Sequence, residues 1–224
     1  MNNSLSVLQL WRLISPALPV GAYAYSQGLE YAIESEWVSD EASCLEWMQG
    51  VLSNNITYLD LPIVKRFYTA WQKEDKEALT YWSNYLRASR ETKELILEDQ
   101  QIGDSLARLL SDMDIQQANQ WQQNSITSYP MMFALAGQHW NIEINDLLMG
   151  YAWAWCENQV AAAMKVVPLG QTQGQRLLEK IMPTINNAVE LGMSIEDHDI
   201  GRMCPGQVMA SSLHEQQYSR LFRS

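Results

Sequence analysis

The most apolar stretch of the chain runs from Leu147 to Val167, and it restricts the possible folds more than any other feature. A run of about 20 apolar residues is long enough to span a bilayer as a helix. This run, however, contains Glu157 and Lys165, and charged side chains are costly within a lipid core. We therefore interpret residues 146–167 as the buried central helix of a bundle, with Asn145 as its N-cap.

Apolar residues in the rest of the chain also recur at every third or fourth position, which is the spacing of a helix face. No run alternates apolar and polar residues around an Asn-Gly or Asp-Gly turn, and no repeat of about 20–50 residues is present. A chain of 224 residues can bury one full core. The sequence therefore predicts an all-α, single-domain helical bundle at residues 1–204, followed by a C-terminal tail at residues 205–224.

Capping residues and glycines predict where several helices begin, end and pack. Ser39 or Asp40 is predicted to begin one helix and Asp60 another, because their side-chain oxygens can accept hydrogen bonds from the first turn. Gly103 lies inside a predicted helix at a cost of about 1 kcal/mol relative to alanine, which indicates close packing against a neighbour. Gly192 follows the last apolar turn of another helix and is predicted to end it.

Charge and cysteine content limit the partners and the compartment. The net charge of −11 argues against binding to nucleic acid or to an anionic membrane surface. The three cysteines, Cys44, Cys156 and Cys204, are odd in number and far apart, which is typical of a reducing compartment. The N-terminus lacks the basic region of a signal peptide. We expect a cytoplasmic protein that binds neither nucleic acid nor membrane.

Sequence motifs for catalysis and metal binding are missing. A phosphate-binding loop, a dinucleotide-binding glycine turn and a nucleophile elbow are all absent. The three histidines do not share the spacing of metal ligands. The run Glu-Asp-His-Asp at 196–199 is the best metal candidate, but four consecutive side chains do not converge well on one ion. We therefore expect no enzyme activity, no catalytic residue and no metal site in this chain.

The connection between the first two predicted helices, residues 15–30, is longer and more apolar than an ordinary helix–helix loop of about 2–8 residues. Gly21 and Gly28 allow backbone conformations that a Cβ would disfavour. Between them lie Tyr23, Tyr25 and Ser26, which supply aromatic surface and hydroxyl groups. This composition indicates a loop that is packed onto the bundle or used for recognition.

Three segments of the chain resemble the urease accessory protein F family (UreF). Leu-Pro-Val-Gly-Ala-Tyr-x-Tyr-Ser-x-Gly-Leu-Glu at 18–30 is similar to the opening motif of that family. Lys-Val-Val-Pro-Leu-Gly-Gln at 165–171 is similar to a second family segment, and His-Glu-Gln-Gln-Tyr-Ser-Arg-Leu-Phe-Arg-Ser at 214–224 to the family's C-terminal tail. The three occur in the family's order and at its usual separations, so the resemblance covers nearly the whole chain.

The resemblance implies a non-enzymatic adaptor in urease maturation. Such a protein forms a homodimer, binds the accessory protein UreD or UreH, and recruits the GTPase UreG to the urease apoprotein so that nickel reaches the active site. It implies no cofactor of its own, because nickel is handled by the complex. It also implies that the tail becomes ordered on a partner. The partner-binding residues predicted in this way are Tyr23, Tyr25, Ser26, Lys165, His214, Glu215, Tyr218, Arg220, Leu221 and Phe222.

Each of these assignments has a structural alternative. Tyr23 could pack the loop onto the bundle, Lys165 could offset the dipole at a helix C-terminus, and the tail could fold back on its own domain. Two other functions also remain open at this point. One is a GTPase-activating or regulatory protein, for which Arg202, Arg220 and Arg223 are the available arginines. The other is an all-α metal-dependent hydrolase that uses residues 196–198.

Overall fold

A computed structural model describes residues 3–224, which fold into ten α-helices without a β-strand. The all-α prediction is therefore confirmed for this part of the chain. None of these helices is both long enough and apolar enough to cross a membrane. The helices are α1 (Asn3–Leu13), α2 (Leu29–Glu34), α3 (Glu41–Val51), α4 (Leu61–Gln72), α5 (Lys76–Ser89), α6 (Lys93–Asp112), α7 (Tyr129–His139), α8 (Ile144–Val166), α9 (Gln171–Ser194) and α10 (Pro205–His214).

Two apolar helices, α7 and α8, form the centre of the bundle. Residues 130–137 of α7 are buried on every side, between α4 and α6. Helix α8 packs against α9, α4, α2 and α1, and small residues such as Gly150 allow the close approach. A Cβ on Gly150 would lie 2.6 Å from Leu10 Cδ1 of α1. Of the charged residues in the apolar run, Lys165 is exposed and Glu157 is half-buried. The run is therefore a core helix of which one side is partly exposed.

Three predicted helix ends are wrong. Asp60 has helical backbone angles and caps nothing, because a π-helical stretch, Leu52–Asp60, continues directly into α4. Asn145 lies inside the first turn of α8, whose N-cap is Glu143. Gly192 lies inside α9, which continues to Ser194. Its missing side chain serves packing instead, since a Cβ there would lie 3.0 Å from the Cβ of Leu61.

Other local predictions are confirmed. Asp40 is the N-cap of α3, and its carboxylate accepts from the backbone of Ser43 while the Ser43 hydroxyl accepts from the Asp40 backbone. This reciprocal arrangement is a capping box. Gly103 lies inside α6, where a Cβ would lie 2.6 Å from the backbone carbonyl carbon of Ser128. The glycine thus allows the start of α7 to approach α6.

The last 20 residues, 205–224, pack onto the helical body. Residues 205–214 form α10, which lies against α2. Residues 215–224, hereafter the C-terminal segment, run back to the loop that precedes α2. The break expected at residue 204 is therefore not a break in packing. That the segment becomes ordered when a partner binds stays a prediction.

Candidate functional site

The structure joins two parts of the chain that are almost 200 residues apart in sequence. The backbone N–H and the hydroxyl of Ser26 both donate to the carbonyl oxygen of Ser224, at 2.8 and 2.5 Å. The backbone N–H of Arg223 donates to the carbonyl oxygen of Ala24 at 2.9 Å. The C-terminal segment is therefore bonded along residues 21–28, hereafter the Tyr23 loop.

Two glycines in the left-handed region shape the Tyr23 loop. Gly21 has φ +80° and Gly28 has φ +84°, a conformation that side chains disfavour. Gly28 also faces α10, where a Cβ would lie only 2.8 Å from the backbone nitrogen of Ser211. Any side chain at this position would push α10 away from α2. Gly28 thus sets the separation between the loop and the helix that leads into the C-terminal segment.

The side chains of Tyr25 and Ser26 hold the loop from below. Both are buried, and the Tyr25 hydroxyl donates to Gln101 Oε1 at 2.6 Å. Burial raises the pKa of Tyr25 above its ordinary value. The carbonyl oxygen of Ser26 accepts from Gln159 of α8 at 3.2 Å, and that of Tyr25 accepts from Asn158 at 3.0 Å. The loop is therefore packed on α6 and α8.

Tyr23 and Lys165 lie on the outside of the loop. The Tyr23 side chain is 68% exposed, so the alternative in which it packs the loop onto the bundle does not hold in this structure. Lys165 Nζ lies 5.7 Å from the centre of the Tyr23 ring and 5.2 Å from that of Phe222. Cations at such distances are attracted to ring faces. Lys165 also lies in the last turn of α8, so its position suits the helix dipole as well.

A buried charged cluster fixes the start of the C-terminal segment. His214 is fully buried, with Nε2 at 3.1 Å from Glu30 and Nδ1 at 2.7 Å from Glu94. Arg220 Nη1 donates to the other oxygen of Glu94 at 2.6 Å. The cluster thus connects α2, α6, α10 and the C-terminal segment.

The predicted partner-binding residues divide into two groups. Tyr25, Ser26, His214 and Phe222 are buried and cannot contact a partner in this conformation. Their contacts instead support the surface from inside. The exposed group lies on the three segments that meet here, namely the Tyr23 loop, the end of α8 and the C-terminal segment. This group consists of Tyr23, Lys165, Glu215, Tyr218, Arg220 and Leu221, hereafter the docking surface.

Sequence reasoning missed the acceptors that hold the C-terminal segment. Glu94, Glu98 and Gln101 contact residues of this segment, and they recur every three or four positions on one face of α6. Polar residues at this spacing on α6, on a side that the apolar pattern assigns to the core, are the signal that could have indicated them. Glu30 was part of a matched motif, but nothing in the sequence indicated what it binds.

A cavity of about 150 Å³ lies beneath the Tyr23 loop, and its lining includes an ionic network. Arg90 donates to Asp60 and to Asp99, at 2.7 and 2.6 Å, and Tyr151 donates to Asp60 at 2.8 Å. Glu98 accepts from Ser224 and from Gln27, both at 2.7 Å. Burial raises the pKa of Glu98 from 4.5 to about 7, although both hydrogen bonds lower it. The C-terminal segment thus rests on a buried carboxyl group.

Residues 196–199 do not gather into a metal site. Asp197 is bonded to Arg66 at 2.8 Å, and His198 and Asp199 are exposed. Within residues 3–224 no group of three His, Cys, Asp or Glu side chains is placed to hold a metal ion. The arginines considered for GTPase activation all have contacts within the chain: Arg202 lies 3.5 Å over the Tyr58 ring, and Arg220 binds Glu94.

Comparison with known proteins identifies the family. The family model described as UreF matches residues 38–182. The chain belongs to the UreF family. It is 49% identical over 223 residues to the urease accessory protein UreF of Alkalilimnicola ehrlichii, covering all of this chain and 98% of that protein. The proteins of the same name from Chromohalobacter salexigens and Teredinibacter turnerae are 45% and 47% identical, and they are covered over 96% and 100% of their length.

Membership in the UreF family settles the class of function. The chain is a urease accessory protein with a role in urease maturation, and it is not an enzyme. The hydrolase alternative is therefore wrong. The match to the family model begins after the Tyr23 loop and ends before the C-terminal segment, whereas the full-length relatives include both.

Proposed function

We propose that this UreF chain is an adaptor that recruits the GTPase UreG to the urease apoprotein through the docking surface. In this proposal the chain acts in the cytoplasm as a homodimer bound to UreD or UreH. Nickel is the cargo of the assembly, and this chain holds no tight nickel site of its own. A regulatory effect on GTP hydrolysis by UreG stays a prediction.

The observation that carries this proposal is the convergence of three separate segments on one surface. The Tyr23 loop, the end of α8 at Lys165 and the C-terminal segment are far apart in sequence, yet they are in mutual contact. The exposed residues of these segments add nothing to the core, so folding alone does not require the hydrogen bonds and ring contacts that hold the three segments together. A surface that serves recognition explains why buried residues of all three segments support it.

The chemistry of the docking surface supports a protein partner. Tyr23, Tyr218 and Leu221 are each more than half exposed, and the Arg220 side chain is exposed as well. Tyrosine and arginine are the side chains that most often dominate binding energy at interfaces. Lys165 and Arg223 add positive charge here on a chain with a net charge of −11, whereas Arg220 is paired with Glu94 and Glu215 contributes a negative charge. The surface therefore suits a partner that presents acidic side chains.

The test is a pull-down from cells that express this chain together with UreD or UreH, UreG and the urease subunits. Tyr218→Ala and Leu221→Ala remove exposed side chains, so they leave the fold intact. Tyr81→Ala on α5 is the matched control, because that tyrosine is also exposed, at 59%. We expect the two docking-surface variants to lose UreG at least fivefold, since an interface anchor contributes about 1 kcal/mol or more. The control should retain it.

Equal recovery of UreG by all three variants would show that the docking surface is not the GTPase site. A chain that brings down neither UreD nor UreH nor UreG would contradict the adaptor function as a whole. The mass of the purified chain, measured by light scattering, tests the homodimer separately.

A further inference from the structure

The end of the C-terminal segment alternates between buried and exposed side chains. Leu221 is 64% exposed, Phe222 is 5% exposed and Ser224 is fully buried. The chain bends at residues 221–222, and a shift of the segment by one residue along the Tyr23 loop would move each side chain into the position of its neighbour. Such a shift would bury Leu221 and expose Phe222. The register of this segment therefore decides which side chains the docking surface presents.

A single carboxylate contacts two successive residues of this segment. The backbone N–H of Leu221 donates to Glu30 Oε1 at 2.7 Å, and that of Phe222 donates to Glu30 Oε2 at 2.9 Å. Hydrogen bonds to a charged acceptor are roughly twice as strong as those between neutral groups. In the observed register each oxygen accepts from one of two consecutive amides, and Phe222 rather than Leu221 is buried.

We propose that Glu30 is a positioning residue that sets the register of the C-terminal segment and so builds the docking surface. This inference rests on the proposed function for its biological consequence, but the positioning itself can be tested without any partner. Glu30 touches no partner in this scheme, because it is buried. It acts through Leu221 and through the neighbouring exposed residues.

The surroundings of Glu30 suit this role. His214 Nε2 lies 3.1 Å from Glu30 Oε2, so this buried carboxylate has a hydrogen-bond partner besides the two segment amides. The backbone N–H of Glu30 donates to the hydroxyl of Ser26 at 3.3 Å, and that hydroxyl donates to Ser224. The side chain and the backbone of Glu30 are thus both connected to the C-terminal segment.

Glu30→Gln tests the proposal with little change in shape. A glutamine has one acceptor oxygen and one NH2 donor, so one of the two segment amides would face a donor. Glu94→Gln is the matched control. Glu94 binds His214 and Arg220 from the other side, but its side chain does not touch the amides of Leu221 and Phe222.

The readout is amide hydrogen exchange of the full-length chain. The informative amides are those of Ser26 and Arg223, which bond to Ser224 and Ala24 rather than to Glu30. If the variant lost only the two hydrogen bonds to Glu30, the amides of Ser26 and Arg223 would stay protected. We expect Glu30→Gln to speed their exchange at least tenfold and Glu94→Gln to speed it much less. The amide of Cys156 in α8 reports whether the core remains folded.

A second pair of variants covers the case in which Glu30→Gln destabilises the whole fold. Leu221→Pro removes one of the two N–H donors at an exposed position, whereas Leu221→Ala retains it. We expect faster exchange at Ser26 and Arg223 in the proline variant alone. Unchanged exchange in both Glu30→Gln and Leu221→Pro would overturn the positioning role. Equal release by Glu94→Gln would also overturn it, because the charged cluster as a whole would then hold the segment.

The UreG pull-down separates this inference from the proposed function. If Glu30→Gln releases the segment and UreG is lost, both are supported. If the segment is released and UreG still binds, Glu30 retains its positioning role and the docking surface is wrong. If Leu221→Ala loses UreG while Glu30→Gln leaves the segment in place, the docking surface stands and the role of Glu30 is wrong.

Discussion

Glu98 offers the sharpest test of how the C-terminal segment is held, because its carboxyl group is buried beneath Ser224. The Ser224 hydroxyl and the Gln27 amide both contact it, and it is only 6% exposed. Glu98→Gln replaces the carboxyl by a neutral group of the same shape. The amide oxygen can still accept from Gln27, and the NH2 group can donate to the Ser224 oxygen, as a protonated carboxyl would. The variant therefore mimics the protonated state.

The expected effect depends on pH, and its sign follows from the pKa. Burial raises the pKa of Glu98 from 4.5 to about 7, so the folded state holds a proton that the unfolded state releases between these values. The contribution of this group to the free energy of unfolding is fully present below pH 4.5 and is lost as the pH rises through 7. The full loss corresponds to about 3 kcal/mol at 1.36 kcal/mol per pH unit. About 2 kcal/mol of it falls between pH 5.5 and pH 8.

The assay is urea denaturation of the wild type and Glu98→Gln at a series of pH values from 5.5 to 8. We expect the free energy of unfolding of the variant to gain about 2 kcal/mol relative to the wild type over this range. Glu46→Gln, which changes an exposed carboxylate of α3, should run parallel to the wild type. Parallel curves for Glu98→Gln as well would refute the reasoning, because Glu98 would then ionise as easily in the folded chain as in the unfolded one.

Three further predictions concern packing, charge and thiol reactivity. Gly28→Ala should cost at least 1 kcal/mol of stability in urea denaturation, because its Cβ would meet the backbone of Ser211. Gly50→Ala is the control and should be neutral or stabilising, because a Cβ there would have nothing within 4 Å. Arg90→Met should cost about 3–5 kcal/mol in the same assay, because it leaves two carboxylates unpaired in the interior; a cost below 1 kcal/mol would contradict this. In a thiol titration of the native chain at pH 8, Cys204 alone should react, because burial raises the pKa of Cys44 to about 11 and raises that of Cys156 as well; reaction of more than one thiol would show that the core opens.

The helical architecture was predictable because the apolar spacing is a local property of the sequence. The cap at Asp40 was also predicted correctly, since a cap acts within one turn, and so was the close packing at Gly103, since a glycine inside a helix indicates it without naming the neighbour. The cap predicted at Asp60 was wrong, because its carboxylate accepts from Arg90, which lies 30 positions away. The same holds for Gly192, whose neighbour Leu61 belongs to another helix. Tertiary contacts override local capping preferences in both cases.

The sequence indicated which segments to consider together but not how they are arranged, and partner binding by their residues stays a prediction. The matched motifs named the Tyr23 loop, Lys165 and the C-terminal segment, and the structure brings all three together. It could not be foreseen that His214 would be buried between two carboxylates, because Glu30 and Glu94 come from different helices. Nor did the sequence separate the residues that face outward from those that support them.

This division explains why the family motifs mix residues of such different character. Gly28 and Ser26 allow the C-terminal segment to lie close to α2, and Glu30 fixes how far along the loop it lies. In this position Phe222 lies beside Lys165, which also contacts Tyr23. A mutation in a buried motif residue should therefore weaken partner binding indirectly, by releasing the segment. A mutation in an exposed one should do so while the segment remains in place, and amide exchange at Arg223 distinguishes the two.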